Sequence, residues 1–181
     1  VSGQQHGLVA VDEDGVPVRP CKLWCDTESR AEAAELSAAY GWAMAAGFTA
    51  SKALWLKRNE PHNWERTRTV LLPHNYVNLW LCGVASAEAG DASGVGVLAE
   101  VDGAADGGAR YDAEKCAAVD ERFLAMLPPL AGHDDLLERD GAPACVLPEA
   151  LEALGLPSDA RVRVSAGSGD NMCSALGAGA C

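Results

Sequence analysis

Basic residues are scarce in this chain: 14 lysines and arginines stand against 26 aspartates and glutamates, a formal net charge of −12 over 181 residues. A surface of that sign repels phosphate backbones, so no nucleic-acid partner is expected. Long apolar runs are missing too. The longest candidate, residues 38–50, falls short of the roughly 18 residues a membrane span needs and contains glycine, so no membrane partner is expected either. No signal-peptide pattern opens the sequence, and the expected location is cytoplasmic. Closely paired cysteines are lacking as well. Seven cysteines, at positions 21, 25, 82, 116, 145, 173 and 181, are odd in number and scattered, which argues against a disulfide framework. Only Cys21 and Cys25 stand close, with no second pair or nearby histidine, so a four-ligand structural zinc site is set aside. The cysteines read as reduced, buried thiols of an intracellular protein. Internal repeats, low-complexity tails and a Walker-type glycine–lysine sequence are absent too.

What is present suits one domain with a proper core: 49% of the residues are apolar. The runs 7–11 and 16–18 flank Asp12-Glu13-Asp14-Gly15, an Asp-Gly turn between β-prone stretches that predicts a hairpin. A second short strand over 22–24 ends at Asp26. Residues 28–40 read as a helix capped by Thr27, and another helix starts near Thr49 and stops before Pro61. A short helix begins at Trp64 and gives way to the apolar Val70-Leu71-Leu72, after which 73–81 reads as a helix stopped by Gly83. Residues 84–110 are rich in glycine and alanine and predict an irregular segment around 89–94. Helical spacing resumes over 112–126, Pro128-Pro129 breaks it, and 148–154 makes a last short helix before a strand at Val162. Alternating short strands and helices indicate an α/β or mixed architecture.

Two turns carry candidate chemistry. The run 162–166 leads through Gly167-Ser168-Gly169 to Asp170-Asn171 and a helix start, the place where open α/β sheets bind ligands. Two readings of that carboxylate stand: a reactive group, or a cap accepting orphan amide hydrogen bonds. At the other end, Ser2-Gly3-Gln4-Gln5-His6-Gly7 puts amide and imidazole side chains on a small-residue turn suited to a polyhydroxylated ligand. Trp24-Cys25-Asp26 adds a second carboxylate beside an aromatic ring that can pack on a sugar's apolar face, or else simply caps the next helix.

Taken in order, residues 1–7, 23–27, 47–52, 71–76, 88–94 and 167–171 closely resemble successive motifs of the FGGY carbohydrate kinase family. The resemblance implies two actin-like, ribonuclease H-like α/β domains around a deep cleft. Residues 1–181 would be most of the first, sugar-binding domain, entered after its opening strands, with the C-terminal nucleotide-binding domain absent beyond about residue 175. It further implies ATP-dependent phosphorylation of D-xylulose to its 5-phosphate, since the Gln5-His6 pair and the Gly47 to Lys52 motif favour that ketopentose. ATP and Mg2+ would be held mainly by parts outside this chain, which alone is expected to be inactive. Gln5 and His6 would line the sugar site, Asp26 would hydrogen-bond sugar hydroxyls, Asp170 would be the catalytic base and Asn171 would contact the sugar beside it. No metal ligand is assigned; the partners are the sugar and ATP, with a homodimer left open. The sequence departs from the family pattern at Cys25 for asparagine, Ser168 for glycine, Asn75 for aspartate and Val95 for threonine, and its link near residues 40–47 is short. Alternatives are a member acting on glycerol, gluconate or ribulose, and a non-catalytic sugar-binding remnant.

Overall fold

The computed structural model describes residues 1–99, 108–132 and 135–180. In chain order the elements are β1 (Ser2–Gly3), β2 (Val9–Val11), α1 (Arg30–Tyr40), α2 (Thr49–Asn59), α3 (Pro61–Arg66), β3 (Thr69–Leu71) and α4 (Pro73–Cys82). Then come β4 (Ala87–Glu88), α5 (Ala89–Ala92), a single 3-10 turn over Ser93–Val95, α6 (Ala113–Val119), α7 (Phe123–Met126) and β5 (Leu130–Ala131). The chain continues through β6 (Glu138–Arg139), β7 (Ala142–Pro143), α8 (Pro148–Ala153), β8 (Ser168–Gly169) and α9 (Asp170–Gly177). β2 pairs antiparallel with β3, β6 antiparallel with β7, while β1–β8 and β4–β5 are parallel pairs. Parallel pairing needs a long crossover, so each of these pairs joins segments distant in sequence.

The β2–β3 pair is the centre of the core. Its side chains alternate, so Leu8, Ala10, Val70 and Leu72 face one buried cluster with Leu36, Leu54, Trp64 and Phe123, while Val9, Val11 and Leu71 face another beside Tyr76 and Leu79. A strand buried on both faces carries an unbroken apolar run, as Leu8-Val9-Ala10-Val11 does. A further cluster of Leu137, Ala144, Val146, Leu151, Val164 and Ala166 fills the space under α8.

The hairpin turn forms as predicted: Asp12 Oδ1 accepts from the amides of Asp14 and Val16, and Val18 N–H donates to the Ala10 carbonyl. Its second arm is reduced to a bridge between Val11 and Pro17, because β2 spends its ladder on β3. The strand expected at 22–24 is likewise a single bridge, Leu8 with Lys22. α2 and α4 fall where the pattern put them, α4 opening on Pro73 and closing with Gly83 donating to the Leu79 carbonyl at 2.7 Å. α1 starts at Arg30 rather than Glu28. Its N-cap is Ser29, and that hydroxyl is drawn away to the Ala46 carbonyl and Ser51, so Thr27 caps nothing. The short helix lies at Pro61–Arg66, ahead of Trp64, because proline suits a first helical turn. The helix of 112–126 is split at Asp120, whose carboxylate accepts from the Arg122 amide.

Two expectations are corrected. Residues 87–97 form a tight, buried turn of strand, helix and 3-10 helix. Small residues there mark close packing: a Cβ on Gly94 would stand 2.9 Å from His6 Nδ1. Residues 100–107, part of that segment, lie outside the described residues. The strand at Val162 is replaced by bridges from Arg163 to Cys145 and from Ser165 to Leu136, and the continuous pairing moves to Ser168–Gly169. Among the described residues no helix is long and apolar enough to cross a membrane. The six described cysteines are free; Cys82 and Cys116 are buried, whereas Cys25 is exposed rather than buried.

Candidate active site

β1 and β8 lie side by side and parallel, with Gly3 opposite Gly169. Their carboxyl ends therefore deliver Gln4-Gln5-His6 and Asp170-Asn171 at one level, the position at which α/β sheets bind ligands. The result is a cleft of about 370 Å³ lined by Gln4, Gln5, His6, Trp24, Asp170 and Asn171. That volume lies within the roughly 300–1,000 Å³ of small-molecule sites. A larger groove of about 570 Å³ between the 12–17 turn and α4 gathers none of the candidate residues.

Each wall has a local cause. Gly167 sits at φ +74, and a Cβ there would meet the Val1 carbonyl at 2.1 Å, so the turn that aims β8 at β1 needs glycine. Gly169 holds the N-cap position of α9 without a side-chain cap, which leaves Asp170 as the first helical residue, exposed, with Oδ1 accepting from the Asn171 amide at 2.9 Å. Asp170 is not the N-cap of α9. Behind the turn, the Glu88 carboxylate accepts from the amides of Gly90 (2.6 Å) and Asp91 (3.0 Å) and from the Ser168 hydroxyl (2.9 Å). Ser168 thus anchors the turn that carries Asp170 to Glu88, the N-cap of α5.

On the opposite wall His6 adopts φ +64, an uncommon conformation for a residue with a side chain. Three contacts hold it. Its Nδ1 faces the Gly94 carbonyl at 3.2 Å, its ring packs on Phe48 with centroids 4.6 Å apart, and its own carbonyl accepts from Lys52 Nζ at 2.6 Å. A carbonyl only accepts, so Nδ1 carries the proton in that contact. Gln4 Oε1 accepts from the Trp24 amide at 3.0 Å, tying the Trp24 loop to this wall and leaving the indole 59% exposed over the cleft.

The structure brings Gln5, His6, Asp170 and Asn171 together and leaves Asp26 outside the lining. Asp26 instead accepts from Lys22 Nζ at 2.8 Å and from the Glu28 amide at 2.9 Å, and Lys22 also pairs with Glu28. Burial pushes the Asp26 carboxyl up, but the hydrogen bonds from Lys22 and Glu28 and the charge of Lys22 outweigh it and hold the group below its ordinary range. Gln4, Lys52 and Glu88 are site-building residues that the sequence reading did not single out. Lys52 had a visible signal: it falls three residues after Thr49 and four before Leu56, on the buried face of α2. Among the described residues no group of three or more histidines, cysteines or acids could hold a metal ion.

The chain is 38% identical over 99% of its length to the xylulose kinase of Streptomyces coelicolor and 35% identical over 99% to that of Haemophilus influenzae, spanning 36% of each of those proteins. The crystal structure of xylulose kinase from Rhodospirillum rubrum superposes with a TM-score of 0.80 at 26% identity, over 99% of this chain and 36% of that one. The mixed helix and strand arrangement is that of the actin-like, ribonuclease H-like ATPase domain. Residues 1–177 match the N-terminal domain of the FGGY family of carbohydrate kinases, and the chain belongs to that family.

Proposed function

We propose that this chain is the sugar-binding domain of a xylulokinase, which transfers the γ-phosphoryl group of ATP to D-xylulose and forms D-xylulose 5-phosphate. The observation that carries the reading is the convergence of Gln5, His6, Asp170 and Asn171 on one cleft at the ends of two parallel strands, in a chain similar to xylulose kinases over nearly all its length. Gln5, His6 and Asn171 supply donors and acceptors for hydroxyls, and the face of Trp24 offers an apolar surface to the carbon chain. A site built on such groups rejects an analogue lacking a hydroxyl, because its own polar atoms are then left unpaired.

A sugar hydroxyl is a weak nucleophile. In the proposal the Asp170 carboxylate takes the hydroxyl proton as the oxygen forms its bond to the γ-phosphorus and the bond to ADP breaks. ATP, with a divalent metal expected to be Mg2+, supplies the electrophile. In the proposal this chain's side chains serve the acceptor side of the reaction. In the proposal Asp26, held by Lys22 at the end of the Trp24 loop, hydrogen-bonds sugar hydroxyls.

The test is a coupled ADP-release assay with D-xylulose on the full-length protein and on Asp170→Asn. Turnover is expected to fall by about 10²- to 10⁴-fold, with sugar affinity changed less than threefold. Unchanged turnover removes Asp170 as the base. Faster turnover on glycerol, gluconate or ribulose removes xylulose as the substrate, and sugar-dependent turnover by residues 1–181 alone overturns the division of labour between domains.

A further inference from the structure

We infer that Lys52 is the positioning residue of the sugar cleft, a buried tie that holds the His6 turn and the Trp24 loop of one wall in register. The inference rests on the proposed sugar site and adds a residue that touches neither sugar nor nucleotide.

Lys52 is wholly buried in the first turn of α2. Burial of an ammonium without a carboxylate against it is costly and persists only where the group does something the fold requires. Its Nζ donates to two carbonyls, His6 at 2.6 Å and Gly47 at 2.5 Å. His6 lines the cleft in its left-handed conformation. Gly47 lies against the Trp24 loop: a Cβ on it would stand 2.7 Å from the Trp24 carbonyl. One ammonium thus fixes the turn that carries Gln5 and His6 and the segment on which Trp24 rests.

Neighbouring residues of α2 act in the same sense. Earlier in that turn, the Thr49 hydroxyl donates toward the carbonyls of Gly7 (3.1 Å) and Gly94 (3.3 Å), pinning the far side of the His6 turn. Trp55 carries Lys22 Nζ 3.9 Å over its ring, and Lys22 in turn holds Asp26 at the end of the Trp24 loop. α2 is therefore a mount for both the His6 turn and the Trp24 loop. The base-bearing turn is held separately, by Glu88 and Ser168, and Lys52 makes no contact with it.

The separation sets the test. In the full-length protein, Lys52→Met keeps the aliphatic stem and removes the donors. KM and Kd for D-xylulose are expected to rise at least tenfold, with kcat at saturating sugar retained within about threefold and KM for ATP unchanged. A merely structural lysine would lower the unfolding temperature and leave the sugar constants of the folded enzyme alone. Gly47→Ala is the second variant: it keeps Lys52, crowds the Trp24 carbonyl, and is expected to raise the sugar KM in the same way. Selectively labelled His6 and Trp24 are followed by NMR in parallel, and both backbone signals are expected to shift together in Lys52→Met. Sugar constants within twofold of wild type in folded Lys52→Met, or a shift of only one of the two signals, overturn the tie. If the wild-type protein binds no ketopentose, the functional reading fails while the NMR comparison still decides whether Lys52 couples the His6 turn to the Trp24 loop.

Discussion

Replacing Glu88 by glutamine should cost this protein about 3 kcal/mol, and the estimate follows from three hydrogen bonds. The carboxylate is 6% exposed and accepts from Gly90 N at 2.6 Å, Asp91 N at 3.0 Å and Ser168 Oγ at 2.9 Å. Glutamine has the same shape but one oxygen. Its best pose keeps the oxygen where Asp91 and Ser168 share it and turns an amide NH2 onto the Gly90 N–H, so one charge-assisted bond, about 1.5–3 kcal/mol, is lost outright. The two retained bonds become neutral and weaken by about half, which at the lower end of that range brings the total to about 3 kcal/mol. In a domain of this size 1 kcal/mol moves the unfolding midpoint by about 2–4 °C, so the expected drop is about 6–12 °C. Circular dichroism melts of wild type and Glu88→Gln measure it. Adding Ser168→Ala to both backgrounds closes a double-mutant cycle, with a coupling of about 1 kcal/mol expected for residues in direct contact. A midpoint within about 2 °C of wild type, or a cycle with no coupling, would refute the view that Glu88 anchors the Asp170 turn.

Gly169→Ala should weaken D-xylulose binding about 5- to 20-fold with little loss of stability: the new Cβ would meet Gln5 Cγ at 2.8 Å and Asp91 Oδ1 at 3.1 Å, and Gln5 is the side chain free to yield. Asp91 cannot yield, being buried and paired with His74 at 2.7 Å; isothermal titration on the folded variant checks the outcome, and unchanged affinity removes Gln5 from the sugar contacts. Burial lowers the Lys52 ammonium to about 8, partly offset by Asp26 and Cys21 and reinforced by Lys22. The unfolded chain therefore binds more protons between about pH 8 and 10.5, so wild-type stability should rise through that window by up to about 3 kcal/mol relative to Lys52→Met; urea unfolding at several pH values reads it, and parallel curves refute it.

The parts of the fold legible in the sequence were those governed by local chemistry. Pro73 and Gly83 bracket α4, Asp12 and Gly15 make the first turn, and both candidate turns lie where small residues follow extended runs. Pairing across the length of the chain was not legible. Nothing local tells Ser2-Gly3 that its neighbour is Ser168-Gly169, because neither strand carries a side chain pattern to match. The 87–97 segment was misread for a related reason: glycine and alanine are common both to loose loops and to backbones packed face to face, and only the approach of His6 to Gly94 separates the two. The Lys22 partner of Asp26 was not legible either. Asp26 stands beside the cleft, but Lys22 competes for its carboxylate.

The site depends on buried polar ties for a reason that lies in its strands. Ser2-Gly3 and Ser168-Gly169 have almost no apolar surface to bury, so the hydrophobic packing that fixes β2 and β3 cannot fix them. A small residue is nonetheless required there, since Gly167 brings backbone against the Val1 carbonyl too closely for a Cβ. Register must come from directional bonds: Glu88 to Ser168 on one wall, Lys52 to His6 and Gly47 on the other. Such bonds hold a geometry sharply while they are satisfied and fail abruptly when one partner is removed, because the remaining group is stranded in a low-dielectric interior. It follows that conservative changes in the apolar core should lower stability and leave the sugar constants alone, whereas single polar changes at Glu88 or Lys52 should alter the cleft in a protein that remains folded.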